Sequence, residues 1–79
     1  MIFLKWYDIY EEGFVVMEGH GRAHYLGGAF GNTFIKACKF LIEKTEHGEI
    51  RLDENGNEYA CDWGCRWFPT LEEAQKSCG

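Results

Sequence analysis

Two stretches of this 79-residue chain, 12–42 and 49–79, align on each other at an offset of 37 positions. The identical pairs are Glu12/Glu49, Gly19/Gly56, Ala23/Ala60, Gly27/Gly64, Thr33/Thr70, Ala37/Ala74 and Lys39/Lys76. They fall at a turn, along a strand, at a helix start and on a helix. Those are the places where a unit must be rebuilt identically, so the pattern predicts a tandem ββα unit after one leading strand.

The local signals agree. Residues 2–9 carry Ile, Phe, Leu, Trp and Tyr, which suit a strand. Glu11-Glu12-Gly13 turns the chain into a second strand over 14–17. Glu18-Gly19-His20-Gly21 reads as a turn, and 22–30 as a third strand loosened by Gly27 and Gly28. Thr33 caps a helix running to about Thr45, with Phe34, Ile35, Cys38, Leu41 and Ile42 on its apolar stripe and Gly48 as its stop. A short strand over 49–52 leads into the hairpin turn Asp53-Glu54-Asn55-Gly56-Asn57. Residues 58–68 then alternate as one strand, with Tyr59, Cys61, Trp63, Cys65 and Trp67 pointing inward. Thr70-Leu71-Glu72-Glu73 is a capping box for a last helix, whose inner stripe is Leu71, Ala74 and Cys78. The order β-β-β-α-β-β-α predicts one α+β domain over 1–79: an antiparallel sheet of four to five strands with two helices on one face.

A chain this short sits near the lower limit for a self-sufficient core, and its high aromatic content (16%) suits that limit. The net charge of −5 opposes direct nucleic-acid binding, which needs clustered Lys and Arg. The amino-terminal apolar run is broken by Lys5 and Asp8, which opposes a signal peptide, and no stretch is long enough to span a membrane. The expected setting is cytoplasmic, with the cysteines reduced.

No motif reaches a catalytic signature. Cys61 and Cys65 with His20 and His24 offer zinc-ligand chemistry. Residues four apart on an extended strand, however, lie roughly 13 Å from each other, whereas zinc ligands meet within about 2.3 Å of one ion. Packed apolar thiols are the preferred reading, and the same geometry opposes a Cys61–Cys65 disulfide. Cys38 and Cys78, on the inner stripes of the helices, are the candidate pair on oxidation. Gly27 to Thr33 precedes a helix but lacks the lysine of a phosphate-binding loop. A Cys–His nucleophile has no local motif behind it, and Asp53 to Asn57 does not continue into a calcium loop. The expectation is no enzyme, no cofactor and no metal.

Transferring the parity of 58–68 onto the third strand places Arg22, His24, Leu26 and Phe30 toward the helices. Ala23, Tyr25, Gly27 and Ala29 then face outward, beside Ala60, Asp62, Gly64 and Arg66. Tyr25, Glu58, Asp62 and Arg66, with Glu11 and Glu12 at the rim, are the expected partner-binding residues. Acidic clusters such as Asp53, Glu54 and Glu58 are ordinarily solvated turns and helix starts; the sharper reading is that some imitate the phosphate spacing of a nucleic acid and would occupy a partner's basic groove.

In size, acidity and lack of motifs the chain resembles small inhibitor proteins encoded by phages and other mobile elements, including anti-CRISPR proteins. That resemblance is one of general character. It implies a non-enzymatic module that binds a protein with a basic nucleic-acid-binding surface, with no direct nucleic-acid or membrane contact. The alternatives are a self-associating structural protein, as a homodimer, and a small zinc- or thiol-site protein.

Overall fold

The computed structural model describes the backbone of residues 3–16 and 19–78 and the side chains of 3–13 and 22–77. The elements run β1 (Lys5–Glu11), β2 (Phe14–Val16), β3 (Gly19–Gly21), β4 (His24–Gly31), α1 (Phe34–Thr45), β5 (Glu49–Leu52), β6 (Glu58–Asp62), β7 (Cys65–Phe68) and α2 (Leu71–Cys78). The fold is α+β. Five antiparallel strands in the order β4-β1-β7-β6-β5 form the sheet, and β2 with β3 forms a separate ribbon. The stretch expected as a turn is partly strand, because Gly19–Gly21 pairs with Phe14–Val16; Met17 and Glu18 lie outside the described residues.

The expected single strand over 58–68 is a hairpin. Trp63 (φ 53°) and Gly64 (φ 79°) both take positive φ, the pattern of a type I′ turn, and fold β7 back on β6 with Asp62 opposite Cys65 and Cys61 opposite Arg66. The turn inverts side-chain parity, since Asp62 and Cys65 share a face, but the apolar run Tyr59, Cys61, Trp63, Cys65, Trp67 continues through it without a break, so the alternation does not reveal it. The consequence is large: Trp63 stands 95% exposed at the tip instead of inside, while Ala60 is buried instead of outward.

The helix starts repeat as expected. Thr33 Oγ1 accepts from the Lys36 amide at 3.2 Å, and Thr70 Oγ1 accepts from the Glu73 amide at 3.2 Å. At both ends the next turn closes identically, with the Ala37 amide donating to the Thr33 carbonyl and the Ala74 amide to the Thr70 carbonyl. Ala37 and Ala74 are both fully buried. The α1 stop differs from expectation: Glu46 takes the left-handed conformation (φ 60°) and its amide donates to the Ile42 carbonyl. Gly48 has another task, since a Cβ there would lie 2.7 Å from the Trp67 ring.

The core lies between α1 and the sheet and comprises Ile9, Ala29, Ala37, Cys38, Leu41, Ala60 and Trp67. Three of these are alanines, which let the helix approach the strands closely; Ile9, Leu41 and Trp67 are the large side chains. Tyr7 and Phe34 close one end edge-to-face, their ring centroids 5.8 Å apart. α2 packs on β7, β1 and β4, where the Ser77 hydroxyl donates to the Glu12 carboxylate at 3.1 Å.

Candidate protein-docking site

A β-bulge decides what β4 presents. Ile9 pairs with Gly27 and Tyr10 with Tyr25, so Leu26 has no partner across the ladder. Gly27 accommodates the irregularity at φ 148°. Side-chain parity therefore flips along the strand. Tyr25 points away from α1 as expected, but Gly27 and Ala29 face the helix, while Phe30, expected to be inside, is exposed and meets Trp6 edge-on at 5.0 Å.

The expected contact residues divide between two faces. Tyr25 and Arg66 lie on the face turned away from α1. The Tyr25 ring lies 5.3 Å from Tyr10, and its hydroxyl donates to Asp8 Oδ1 at 3.2 Å. The Arg66 guanidinium sits 4.5 Å from the Tyr59 ring centre and 5.9 Å from that of Phe68, in cation–π geometry. Glu58 instead reaches Lys39 of α1 at 3.1 Å. Asp62 shares the α1 side with Ala60 and lies near Glu11. Glu11 is opposite Trp67, accepts its indole N–H at 3.1 Å and lies 3.6 Å from His24. Desolvation raises the Glu11 pKa, against the lowering effects of the Trp67 hydrogen bond and His24; Asp62 and Glu12 raise it further. Glu12 is occupied by Ser77. The six therefore form no single surface.

Cys38 and Cys61 are buried, and Cys65 is half-buried. Burial pushes Cys38 up to about 12, leaving it no nucleophilic character near neutral pH. The hairpin sends Cys61 and Cys65 to opposite faces, because Cys61 pairs with Arg66 while Cys65 pairs with Asp62. Among the described residues no cluster of His, Cys, Asp and Glu is arranged to hold a metal ion. The side chains of His20 and Cys78 lie outside the described residues.

The most distinctive surface was not expected. Along the outer edge of β4 runs an open groove of about 660 Å³. Lys36, Phe40 and Lys44, one row along α1, form one wall; Leu4, Trp6 and Phe30 form the other. The backbone of 28–32 lies between them. Leu4 is 66% exposed, Trp6 49%, Phe30 56% and Phe40 60%. Gly28 is what lets Trp6 lie flat on the strand, because a Cβ there would fall 2.2 Å from the indole. The indole N–H donates to Asp8 at 2.9 Å, which fixes the ring's orientation. The sequence signal for this site was the i, i+4 row Lys36–Phe40–Lys44, where an aromatic residue stands off the buried stripe between two lysines.

No protein-family model, curated protein or solved structure matches this chain.

Proposed function

We propose that this chain is a non-enzymatic protein-binding module that docks its partner along the β4 edge. One observation carries the reading: Leu4, Trp6, Phe30 and Phe40 form a continuous exposed apolar groove with basic residues at its rim. Leaving such side chains in water forfeits the stabilisation of burying them, roughly 25 cal/mol per Å². Contiguous apolar surface rimmed by polar groups marks interaction sites, and aromatic residues carry most binding energy there. A narrower reading is an inhibitor of a host nucleic-acid-handling complex in the host cytoplasm, of the kind phages encode. It draws its support from the net charge of −5 and from exposed Glu43, Glu46 and Glu54. Other acidic residues are occupied within the chain: Glu49 by Arg51, Glu58 by Lys39 and Glu72 by Lys76.

The test is affinity capture from nuclease-treated lysate with wild-type protein and Phe40→Glu, read by quantitative mass spectrometry. Phe40 is exposed, so the variant keeps its fold. The reading predicts one stoichiometric partner on wild type that is lost on Phe40→Glu. Equal capture by both proteins contradicts it.

A further inference from the structure

The sheet has two edges, and they are treated differently. Exposed strand edges offer unpaired amides and carbonyls to any passing chain, so proteins ordinarily blunt them with charge, proline or brevity. β5 is blunted: it has four residues, and two of them, Glu49 and Arg51, form an ion pair at 2.9 Å. β4 has eight residues, HYLGGAFG, with no Lys, Arg, Asp, Glu or Pro; its bulge at Leu26-Gly27 blunts the first half and leaves Gly28–Gly31 as the open stretch. Its glycines also remove side chains that would obstruct a neighbouring backbone. The unprotected edge is the one that carries the groove.

We propose that the β4 edge takes an extended acidic peptide segment of a partner, which adds to the sheet as a sixth strand beside Gly28–Gly31. This deepens the protein-binding reading and rests on it. Strand addition draws affinity from main-chain hydrogen bonds and specificity from pockets for alternate side chains. Both parts are in place. The β4 backbone supplies the ladder. On one side of the incoming strand, apolar residues meet Phe40 from α1; on the other they meet Trp6 and Phe30.

Charge selects the occupant. Lys36 and Lys44 stand on either side of Phe40 along the groove, and neither makes an ion pair among the described residues. A segment with carboxylates flanking an apolar centre matches that row. A second copy of this chain does not. In an antiparallel pairing of two β4 strands the partner strand offers the lysines no acidic residue, since β4 has none, and the Lys36–Phe40–Lys44 rows of the two copies run side by side. Like charges so placed oppose association. The acidic net charge of the molecule therefore conceals a locally basic docking groove.

The experiment is selection of a random twelve-residue peptide library on the immobilised full chain. The enriched peptides are then titrated by fluorescence anisotropy and mapped by amide chemical shifts. The expected consensus alternates apolar residues with period two and carries Asp or Glu at its flanks. Shifts should concentrate on Gly28–Gly31 and on the Lys36–Phe40–Lys44 row. Charge reversal of both lysines (K36E with K44E) should weaken binding at least tenfold, about 1.4 kcal/mol, and raising salt should weaken wild-type binding toward the same level. No enrichment, a basic consensus or a helical i, i+3, i+4 consensus overturns the strand-addition proposal. If lysate capture still depends on Phe40, the docking reading survives and the partner binds by a folded surface. If capture is independent of Phe40, the docking reading fails too.

Discussion

Gly28 and Gly31 lie on the same strand and both are crowded, yet an alanine at each should behave very differently. At Gly31 an added Cβ falls 2.5 Å from the Ala37 amide nitrogen and 2.9 Å from the Thr33 carbonyl oxygen. Both are backbone atoms at the capped start of α1, and Ala37 is fully buried. The clash is relieved only by lifting the helix from the sheet, which loosens Cys38 and Leu41 as well. Overpacking of this kind costs about 1–3 kcal/mol, and with a fixed backbone as the obstacle we expect about 3. For a domain of this size that is a fall in melting temperature of roughly 12–24 °C. At Gly28 the obstacle is the indole of Trp6, which is half exposed and can swing outward by exchanging its exposed hydrogen bond to Asp8 for one to water. Gly28→Ala forfeits the Trp6–Phe30 edge contact, about 0.5–1.5 kcal/mol, and regains about 0.4–1 kcal/mol from a less flexible unfolded chain. Its stability should stay within about 1 kcal/mol of wild type, by the difference of those terms, while Trp6 moves and the groove loses a wall. Urea unfolding followed by far-ultraviolet circular dichroism measures both. A Gly31→Ala loss below about 0.5 kcal/mol, within the range of an ordinary surface change, would refute the close helix–sheet contact.

Three further outcomes follow from named side chains. Cys38, with its thiol pushed up to about 12, holds roughly one part in ten thousand as thiolate at pH 8; iodoacetamide should therefore spare it in the native protein and label it in urea, read by peptide mass spectrometry. The folded-state pKa of Glu11 is raised, so any stability linked to its proton is present at low pH and lost as pH rises through that value. Glu11→Gln should match wild type below about pH 4 and exceed it at neutral pH; a variant less stable at neutral pH would mean that the His24 and Trp67 contacts outweigh desolvation. Asp53 accepts from the amides of Asn55 and Asn57 at 2.8 and 2.9 Å, and its pKa is lowered chiefly by the Asn57 amide. The sign is therefore opposite: Asp53→Ala should melt below wild type at neutral pH, and the gap should close as pH falls below about 4 and through the lowered value.

Much of this fold was legible because local chemistry specified it. Thr33 and Thr70 announce helix starts, and Asp53 to Asn57 announces a hairpin. What misled were two features that shift side-chain parity silently. The Trp63-Gly64 turn sets Asp62 opposite Cys65 and so reverses parity, but apolar residues stand at Tyr59 and Cys61 before it and at Cys65 and Trp67 after it, so the sequence shows no break. The bulge at Leu26-Gly27 adds one residue and reverses every side chain beyond it, which carries Phe30 out and Ala29 in. The candidate site was obscured for the same reason. Tyr25 and Arg66 were placed on their face correctly, being on the near side of the bulge and on the returning strand. Glu58 and Asp62 were not, because they precede the turn. The groove itself is tertiary: Leu4 and Trp6, Phe30, and Phe40 come from three segments joined only by the pairing of β1 with β4 and the return of α1.

The central claim, that β4 is an open edge awaiting a strand, is tested most directly by amide hydrogen exchange resolved by NMR across β4. The account predicts alternating protection in the isolated protein: amides directed at β1 exchange slowly, and the alternate amides, directed at the groove, exchange fast. Adding a selected acidic peptide should slow that second set and leave β5 unchanged. Uniform protection of β4 without any peptide, or protection by the peptide that appears along β5 instead, would contradict it.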